Sequence, residues 1–184
     1  MSLRVLSAVV LVTGLFGAGI ASAQQQPSPI PGPTPGPSPL DVVPEKMPFD
    51  TPYGRPIALD RAQAVIGAAV AEAGKRGWPL NVAVVDSGGN LVAFARMDGA
   101  QIGSIAISEH KARASVKYRR PTRAFEDAIQ RGYVFITTLD DVIGSRGGIP
   151  LVEDGKLIGA IGCSGATGAQ DEVVCTAGAA TINK

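Results

Sequence analysis

Residues 149–163, Ile-Pro-Leu-Val-Glu-Asp-Gly-Lys-Leu-Ile-Gly-Ala-Ile-Gly-Cys, decide the fold class. Two apolar runs, Ile149–Val152 and Lys156–Cys163, flank Asp154-Gly155, a dipeptide that is typical of tight β-hairpin turns. Because a hairpin joins two antiparallel strands, this stretch predicts an antiparallel sheet.

A second hairpin is predicted earlier in the chain. Asn81–Asp86 and Asn90–Arg96 are strand-like runs, and Ser87-Gly88-Gly89 supplies the turn between them. The β-branched and aromatic run Tyr133–Thr138 predicts a further short strand.

Helical periodicity accounts for most of the remaining chain. Leu59–Lys75 is rich in alanine, with apolar residues at helical spacing, and Gly77 ends it. The other predicted helices are Ser104–Tyr118, Pro121–Gln130 and Asp171–Thr181, the last preceded by a capping box of Thr167 and Gln170. We therefore predict an α+β fold of order α-β-β-α-α-β-β-α, in which helices flank a central antiparallel sheet of about five strands in a profilin-like layer architecture.

The composition restricts the class of protein. The chain has 184 residues, with 17 Lys and Arg against 16 Asp and Glu, so it lacks the basic excess of a general nucleic-acid binder. Hydrophobic residues make up 45% of the chain, which excludes wholesale disorder. Eleven of the 14 prolines lie between Pro27 and Pro56, so the chain consists of unlike pieces.

Residues 1–23 are predicted to be a signal peptide, with Arg4 before an apolar run and Ala21-Ser22-Ala23 as the cleavage site. The alternative is a membrane anchor, since the run is nearly long enough to span a bilayer. Cleavage would leave no stable membrane span and a periplasmic or secreted protein. Residues 24–54 are predicted to be a proline-rich, disordered tether, and residues 55–184 the folded domain.

Cys163 and Cys175 are the two cysteines of the chain. In an exported protein such a pair is first interpreted as a disulfide, which would stabilise the domain by roughly 3 kcal/mol. Two small buried apolar side chains are the alternative, because both surroundings are strongly apolar.

A basic stretch is the main candidate for ligand recognition. It places six cations within 13 residues: Lys111, Arg113, Lys117, Arg119, Arg120 and Arg123. Arg113, Lys117 and Arg120 have the spacing of one helix face, and an anionic partner would relieve their mutual repulsion. Carboxylates of a ligand or acids of a neighbouring subunit would serve, and a solvated face is the alternative.

His110 lies in the same predicted helix between Ala106 and Ala114, whose small side chains leave room for a planar ligand. Histidine is a common axial ligand of haem iron, and nearby cations would pair with the propionates. A structural or merely exposed histidine is the alternative. Met97 is a candidate soft ligand or a packing residue.

Glycine-rich loops are the other candidate site. Gly147 and Gly148, with Ser164 and Gly165 at the strand-to-helix junction, could hold an anion on free backbone N–H groups. The alternative is that these glycines permit close packing of a helix on the sheet.

Several of these motifs together resemble the GlcG/HbpS-like haem-binding family. They are Val84–Leu91, Arg96–Ala100, Lys111–Arg113 with Arg120–Thr122, Gly147–Pro150, Gly159–Gly165 and Gln170-Asp171. The resemblance runs from about Leu59 to the C-terminus. It implies an α+β fold with a central antiparallel sheet, a homo-oligomer, and members that bind or degrade haem. Other relatives belong to glycolate operons or are fused to corrinoid adenosyltransferases.

The resemblance favours an exported protein that binds haem or a similar anionic tetrapyrrole. His110 would then be the iron ligand, with Lys111, Arg113 and Arg120 near the propionates. An enzyme or binding protein for a small carboxylate or dicarbonyl metabolite, using the glycine loops, is the first alternative. A structural or sensory oligomer subunit without a cofactor is the second.

Overall fold

The computed structural model describes residues 43–183. The predicted signal peptide and most of the predicted tether, residues 24–42, lie outside these residues. Within residues 43–183, none of the helices combines the length and the apolarity needed to cross a membrane.

The observed elements confirm the predicted α+β class. They are α1 (Leu59–Arg76), β1 (Asn81–Asp86), β2 (Leu91–Arg96), α2 (Ser104–Lys117), α3 (Arg123–Gln130), a 3-10 helix (Val134–Thr138), β3 (Gly148–Glu153), β4 (Lys156–Ser164) and α4 (Gly168–Ala179). Gly77 ends α1 in the left-handed conformation, with φ of 66°. The predicted capping box begins α4, where the Thr167 side chain accepts from the Gln170 N–H and the Gln170 side chain accepts from the Thr167 N–H.

The sheet has the strand order β2-β1-β4-β3, and each neighbouring pair is antiparallel. Both predicted hairpins are present, as β1–β2 and β3–β4. The two central strands are the most deeply buried, and Val84 lies opposite Ile161 in their register. The sheet has four strands, so the expectation of about five is wrong by one.

The difference comes from Tyr133–Thr138, which forms a 3-10 helix rather than the predicted strand. The Thr137 and Thr138 hydroxyls each donate to a carbonyl three residues earlier, at 2.7 Å. The one buried side chain, that of Ile136, packs with Ala114 and Phe125 on the outer side of α2 rather than beside a sheet edge. β-Branched residues favour strands where they can pair with a neighbouring strand of a sheet. This segment instead packs against α2 and α3, so it does not form a strand.

Helices cover both faces of the sheet. Because successive strand residues point to opposite faces, Val84 and Ile161 face α1 and α4, whereas Val85 and Ala160 face α2. α1 and α4 also pack against each other. The domain therefore has three layers, with α2 packed against β1, β4 and β3 on its side.

Residues 52–54, at the end of the predicted tether, contact β4 and α2. The Leu157 N–H donates to the Pro52 carbonyl, and the Gly54 N–H donates to the Leu157 carbonyl, both at 2.8 Å. The Tyr53 hydroxyl donates to the Lys117 carbonyl at the end of α2, at 2.9 Å.

Gly162 shows how closely α2 approaches the sheet. A Cβ atom at this position would lie 2.1 Å from the Ser108 carbonyl oxygen and 2.6 Å from the Ala112 nitrogen, both in the backbone of α2. The structure thus supports the close-packing interpretation for this glycine.

We predict that Gly162→Ala destabilises the domain by about 2 kcal/mol or more, because two backbone segments would have to separate. Gly67→Ala is the matched control, since a Cβ at Gly67 on α1 meets nothing within 4 Å. Alanine there should stabilise the helix slightly. Urea unfolding of both variants measures the difference, and equal effects would contradict this account.

Candidate functional site

His110 lies on the outward side of α2, and its imidazole has an unusual environment. The side chain is 34% exposed, yet its Nε2 atom is covered and has no hydrogen-bond partner among the described residues. Burying a ring nitrogen without a hydrogen-bond partner costs free energy. His110 Nε2 is therefore a polar atom whose capacity to hydrogen-bond is unused among the described residues.

Asp141 lies beside this nitrogen. Its Oδ1 atom lies 3.9 Å from His110 Nε2 and 3.9 Å from Arg113 Nε, which is too far for a hydrogen bond in either case. Its Oδ2 atom accepts a direct hydrogen bond from the Lys117 ammonium. Lys117 therefore holds the pKa of the Asp141 carboxyl below its usual range.

These four residues form what we call the α2 surface: His110, Arg113, Lys117 and Asp141. The three basic residues have the spacing i, i+3 and i+7, which brings them to one face of the helix. Asp141 comes from a distant loop and neutralises part of their charge. Arg113 has a second acidic neighbour in Glu109, with 3.4 Å between the charged atoms.

The loop that carries Asp141, residues 139–143, follows the 3-10 helix. The Tyr118 hydroxyl donates to the Asp140 carbonyl at 2.6 Å, and Val142 and Ile143 pack against the cluster around Ala114. Asp141 itself has φ of 58°, a left-handed conformation that Gly, Asn and Asp adopt more readily than other residues. Sequence reasoning missed Asp141, because two acids in a polar turn carry no signal of which helix they contact.

Lys111 is not part of the α2 surface. Its side chain is 1% exposed, and its Nζ atom lies 2.7 Å from Oδ2 of Asp171, which is 3% exposed. The Asp171 Oδ1 atom accepts the Ala166 N–H at 3.1 Å. Burial raises the pKa of the Asp171 carboxyl, while Lys111 acts in the opposite direction.

Three of the four anion-loop candidates, Gly147, Gly148 and Gly165, lie beside this buried pair. A Cβ atom at Gly147 would lie 2.8 Å from Asp171 Cβ and 3.2 Å from Lys111 Nζ. The Gly148 N–H donates to the Thr122 hydroxyl at 2.9 Å, and Ser164 and Gly165 complete the turn that leads to Ala166. The loops do meet, but the anion they enclose is Asp171, a carboxylate of the chain itself.

Arg120 lies beyond the end of α2, so it does not share the helix face of Arg113 and Lys117 as its spacing predicted. Its guanidinium carbon lies 3.7 Å from the centre of the Phe49 ring and 5.7 Å from that of Phe125. Burial between these rings lowers the pKa of Arg120.

Met97 and the cysteines lie away from the α2 surface. Met97 packs against the core between the sheet and the α1–α4 layer, so the structure does not bring it to His110. Cys163 and Cys175 form a disulfide that joins β4 to α4, with their Cα atoms 5.7 Å apart.

Two open grooves in the described part of the chain lie elsewhere. One borders the β3–β4 turn and includes Arg61 and Asn183, and another runs between α1 and β2 and includes Ile66 and Val92. Neither includes His110. Residues 43–183 also contain no group of three His, Cys, Asp or Glu side chains placed to hold a metal ion. The α2 surface thus combines a buried imidazole nitrogen with neighbouring cations. Two exposed apolar side chains lie nearby in sequence, Ile107 on the same helix and Leu139 in the loop of residues 139–143.

Comparison with known proteins gives a consistent family. The family model described as haem degrading protein HbpS-like matches residues 57–180. Protein GlcG of Escherichia coli K12 is 42% identical over 108 residues, which cover 59% of this chain and 81% of that protein.

Solved structures agree in fold. A double mutant of HbpS from Streptomyces reticuli is 27% identical, with a TM-score of 0.65, and the match covers 85% of this chain and 100% of that one. A PduOC–haem complex is 30% identical, with a TM-score of 0.64, over 70% of this chain and 96% of that one.

For the buried pair, we predict that Lys111→Met destabilises the domain by about 3 kcal/mol, because Asp171 would remain buried without a counterion. The double variant Lys111→Met with Asp171→Asn should recover part of that loss, since no charge is then buried alone. Lys75→Met, on a side chain that is 74% exposed, should unfold like the wild type. Urea denaturation of the four proteins measures these effects, and a double variant less stable than Lys111→Met would contradict the interpretation.

Proposed function

The chain belongs to the HbpS-like family of haem degrading proteins, and from this membership we propose that it binds haem at the α2 surface. The family and the PduOC–haem complex support haem as the ligand class. The contacts of His110 support the location.

The single observation that carries the proposal is the His110 Nε2 atom. It is covered and has no hydrogen-bond partner among residues 43–183, so no described contact competes for its lone pair. A histidine ring nitrogen is a common axial ligand of haem iron. This free nitrogen supports His110 as the residue that would bind the iron.

The surrounding side chains fit the rest of a haem. Arg113 and Lys117 lie on the same helix face and can pair with propionates once Asp141 has moved aside. Ile107 and Leu139 are 38% and 44% exposed, and a porphyrin would remove such apolar surface from water. Lys111, engaged with Asp171 in the core, has no role in this arrangement.

Bound haem iron would supply ligand exchange and redox chemistry at this surface. The chain's own residues would hold and orient the porphyrin. Degradation or sensing of haem is an extension of the same proposal. Loss of the haem absorption band after a reductant or peroxide is added distinguishes degradation from binding alone.

We also propose export and self-association. Residues 1–23 have the pattern of a cleaved signal peptide, and the Cys163–Cys175 disulfide is of the kind found in oxidising compartments. Val134 and Phe135 are 62% and 51% exposed, and an interface between copies of the chain would bury them.

Titration of the untagged mature protein with haemin tests the proposal, with the Soret band as readout. We expect a spectral shift in the wild type that is lost, or weakened by about tenfold in affinity, in His110→Ala. His110 is the one histidine of the 184-residue chain, so no other imidazole can replace it. No shift in the wild type would refute haem binding, and an unchanged shift in the variant would remove His110 as the ligand.

Arg113→Ala should weaken haemin binding several-fold, because a propionate would lose a charged partner. Arg131→Ala is the matched control, since Arg131 is exposed beyond the end of α3 and donates to the Asp127 carbonyl. Both variants lose one positive charge. Equal losses of affinity would indicate a general charge effect rather than a local contact.

A further inference from the structure

Asp141 occupies the position that a ligand carboxylate would take. Its carboxylate is bonded to Lys117 and lies 3.9 Å from both His110 Nε2 and Arg113 Nε. The proposed function assigns ligand contacts to His110, Arg113 and Lys117. All three lie near the same acid of this chain, Asp141.

We propose that the loop of residues 139–143 is a built-in cover for the α2 surface and that Asp141 competes with anionic ligands for it. This inference rests on the proposed function, because it concerns how the same site is opened. The inference assigns a regulatory role to Asp141, a residue outside α2. The ligands concerned carry carboxylates on a planar apolar ring system.

The loop is held at both ends. Val142 and Ile143 pack against the cluster that includes Ala114 and Phe125, and the Asp140 carbonyl is held by the Tyr118 hydroxyl. Between these attachments only the Asp141 side chain reaches the three basic groups. Displacing Asp141 therefore requires a local change in the loop and leaves the packed cluster in place.

The ion pair with Lys117 holds the Asp141 side chain in place. Aspartate is one of the residues other than glycine that adopt a positive φ, here 58°, so the contact and not the backbone fixes this position. A ligand that takes over Lys117 and Arg113 would remove the contact that holds Asp141. The loop could then relax, so that opening and ligand binding are coupled.

The competition has a simple consequence for affinity. The apparent dissociation constant equals the intrinsic one divided by the fraction of molecules with the cover open. Removing the Asp141 carboxylate raises that fraction and also removes a negative charge that would repel an anionic ligand, so binding should become tighter.

Two substitutions test this without disturbing the loop backbone. Asp141→Asn and Asp141→Gly both remove the carboxylate, and both residues accept positive φ, so the loop is able to keep its conformation. Asp140→Asn is the matched control, because it changes the net charge equally at the adjacent residue, whose contact with Tyr118 uses the backbone carbonyl. Circular dichroism and thermal unfolding establish that all variants are folded.

Haemin and metal-free protoporphyrin are the two probes, since they share the propionates and differ in the iron. We expect both Asp141 variants to bind each probe about tenfold more tightly than the wild type, and Asp140→Asn to bind like the wild type. Hydrogen exchange of the peptide spanning residues 139–143 should also become faster in the Asp141 variants on their own.

The outcomes separate the two proposals. If the wild type binds haemin and the Asp141 variants bind equally or more weakly, the cover is refuted and the haem site stands. Equal tightening in Asp140→Asn also refutes it, since the effect would be one of net charge. If no protein binds either probe, the proposed function falls, and the cover as a competitor of porphyrin carboxylates falls with it.

Discussion

The direct contact between the backbone of α2 and the glycines of the sheet determines the rest of the structure. Cβ atoms at Gly162 and Gly148 would lie 2.1 Å from the Ser108 carbonyl oxygen and 2.3 Å from the Lys111 carbonyl oxygen, respectively. Without side chains between them, the backbone of α2 packs directly on β3 and β4. The orientation of α2 in this packing turns Lys111 into the core and leaves the adjacent residue, His110, on the outer side.

In this orientation α2 carries one lysine that is buried and one at the surface, and each is neutralised by an acid of the same chain. Inside, Lys111 is neutralised by Asp171, whose carboxyl pKa is raised by burial. Outside, Lys117 is neutralised by Asp141, whose carboxyl pKa is lowered by the hydrogen bond from the ammonium. The inner pair is closed to solvent and therefore structural. In the outer pair the Asp141 side chain is 27% exposed and that of Lys117 is 50% exposed, so the carboxylate of a ligand can replace Asp141.

Local signals in the sequence predicted the fold well, because hairpins and caps are encoded within a few residues. Asp154-Gly155 identified the β3–β4 hairpin, and Thr167 with Gln170 identified the start of α4. Tyr133–Thr138 was misassigned because its conformation depends on packing against α2 and the preceding helix α3 rather than against a strand. The family could also be recognised from the sequence, since its motifs are contiguous.

The candidate site was only partly predictable, for the same physical reason. Helical spacing correctly grouped Arg113 with Lys117, but α2 ends at Lys117, and Arg120 instead lies between two aromatic rings. A run of cations in the sequence also does not reveal which member is buried. Lys111 pairs with a residue 60 positions away, and Lys117 with one 24 positions away, and neither pairing has a local signature.

The internal carboxylate on the α2 surface also bears on which ligands can bind there. A small carboxylate that replaced Asp141 would exchange one charge contact for an equivalent one, and it would compete with a group whose effective concentration is millimolar or higher. The small carboxylate would therefore gain little binding free energy. A porphyrin adds apolar surface to be buried and, through its iron, a bond to an imidazole nitrogen that has no described partner. If the proposed site is correct, the chain's own acid would therefore select against simple anions and in favour of a large amphipathic ligand that can coordinate His110.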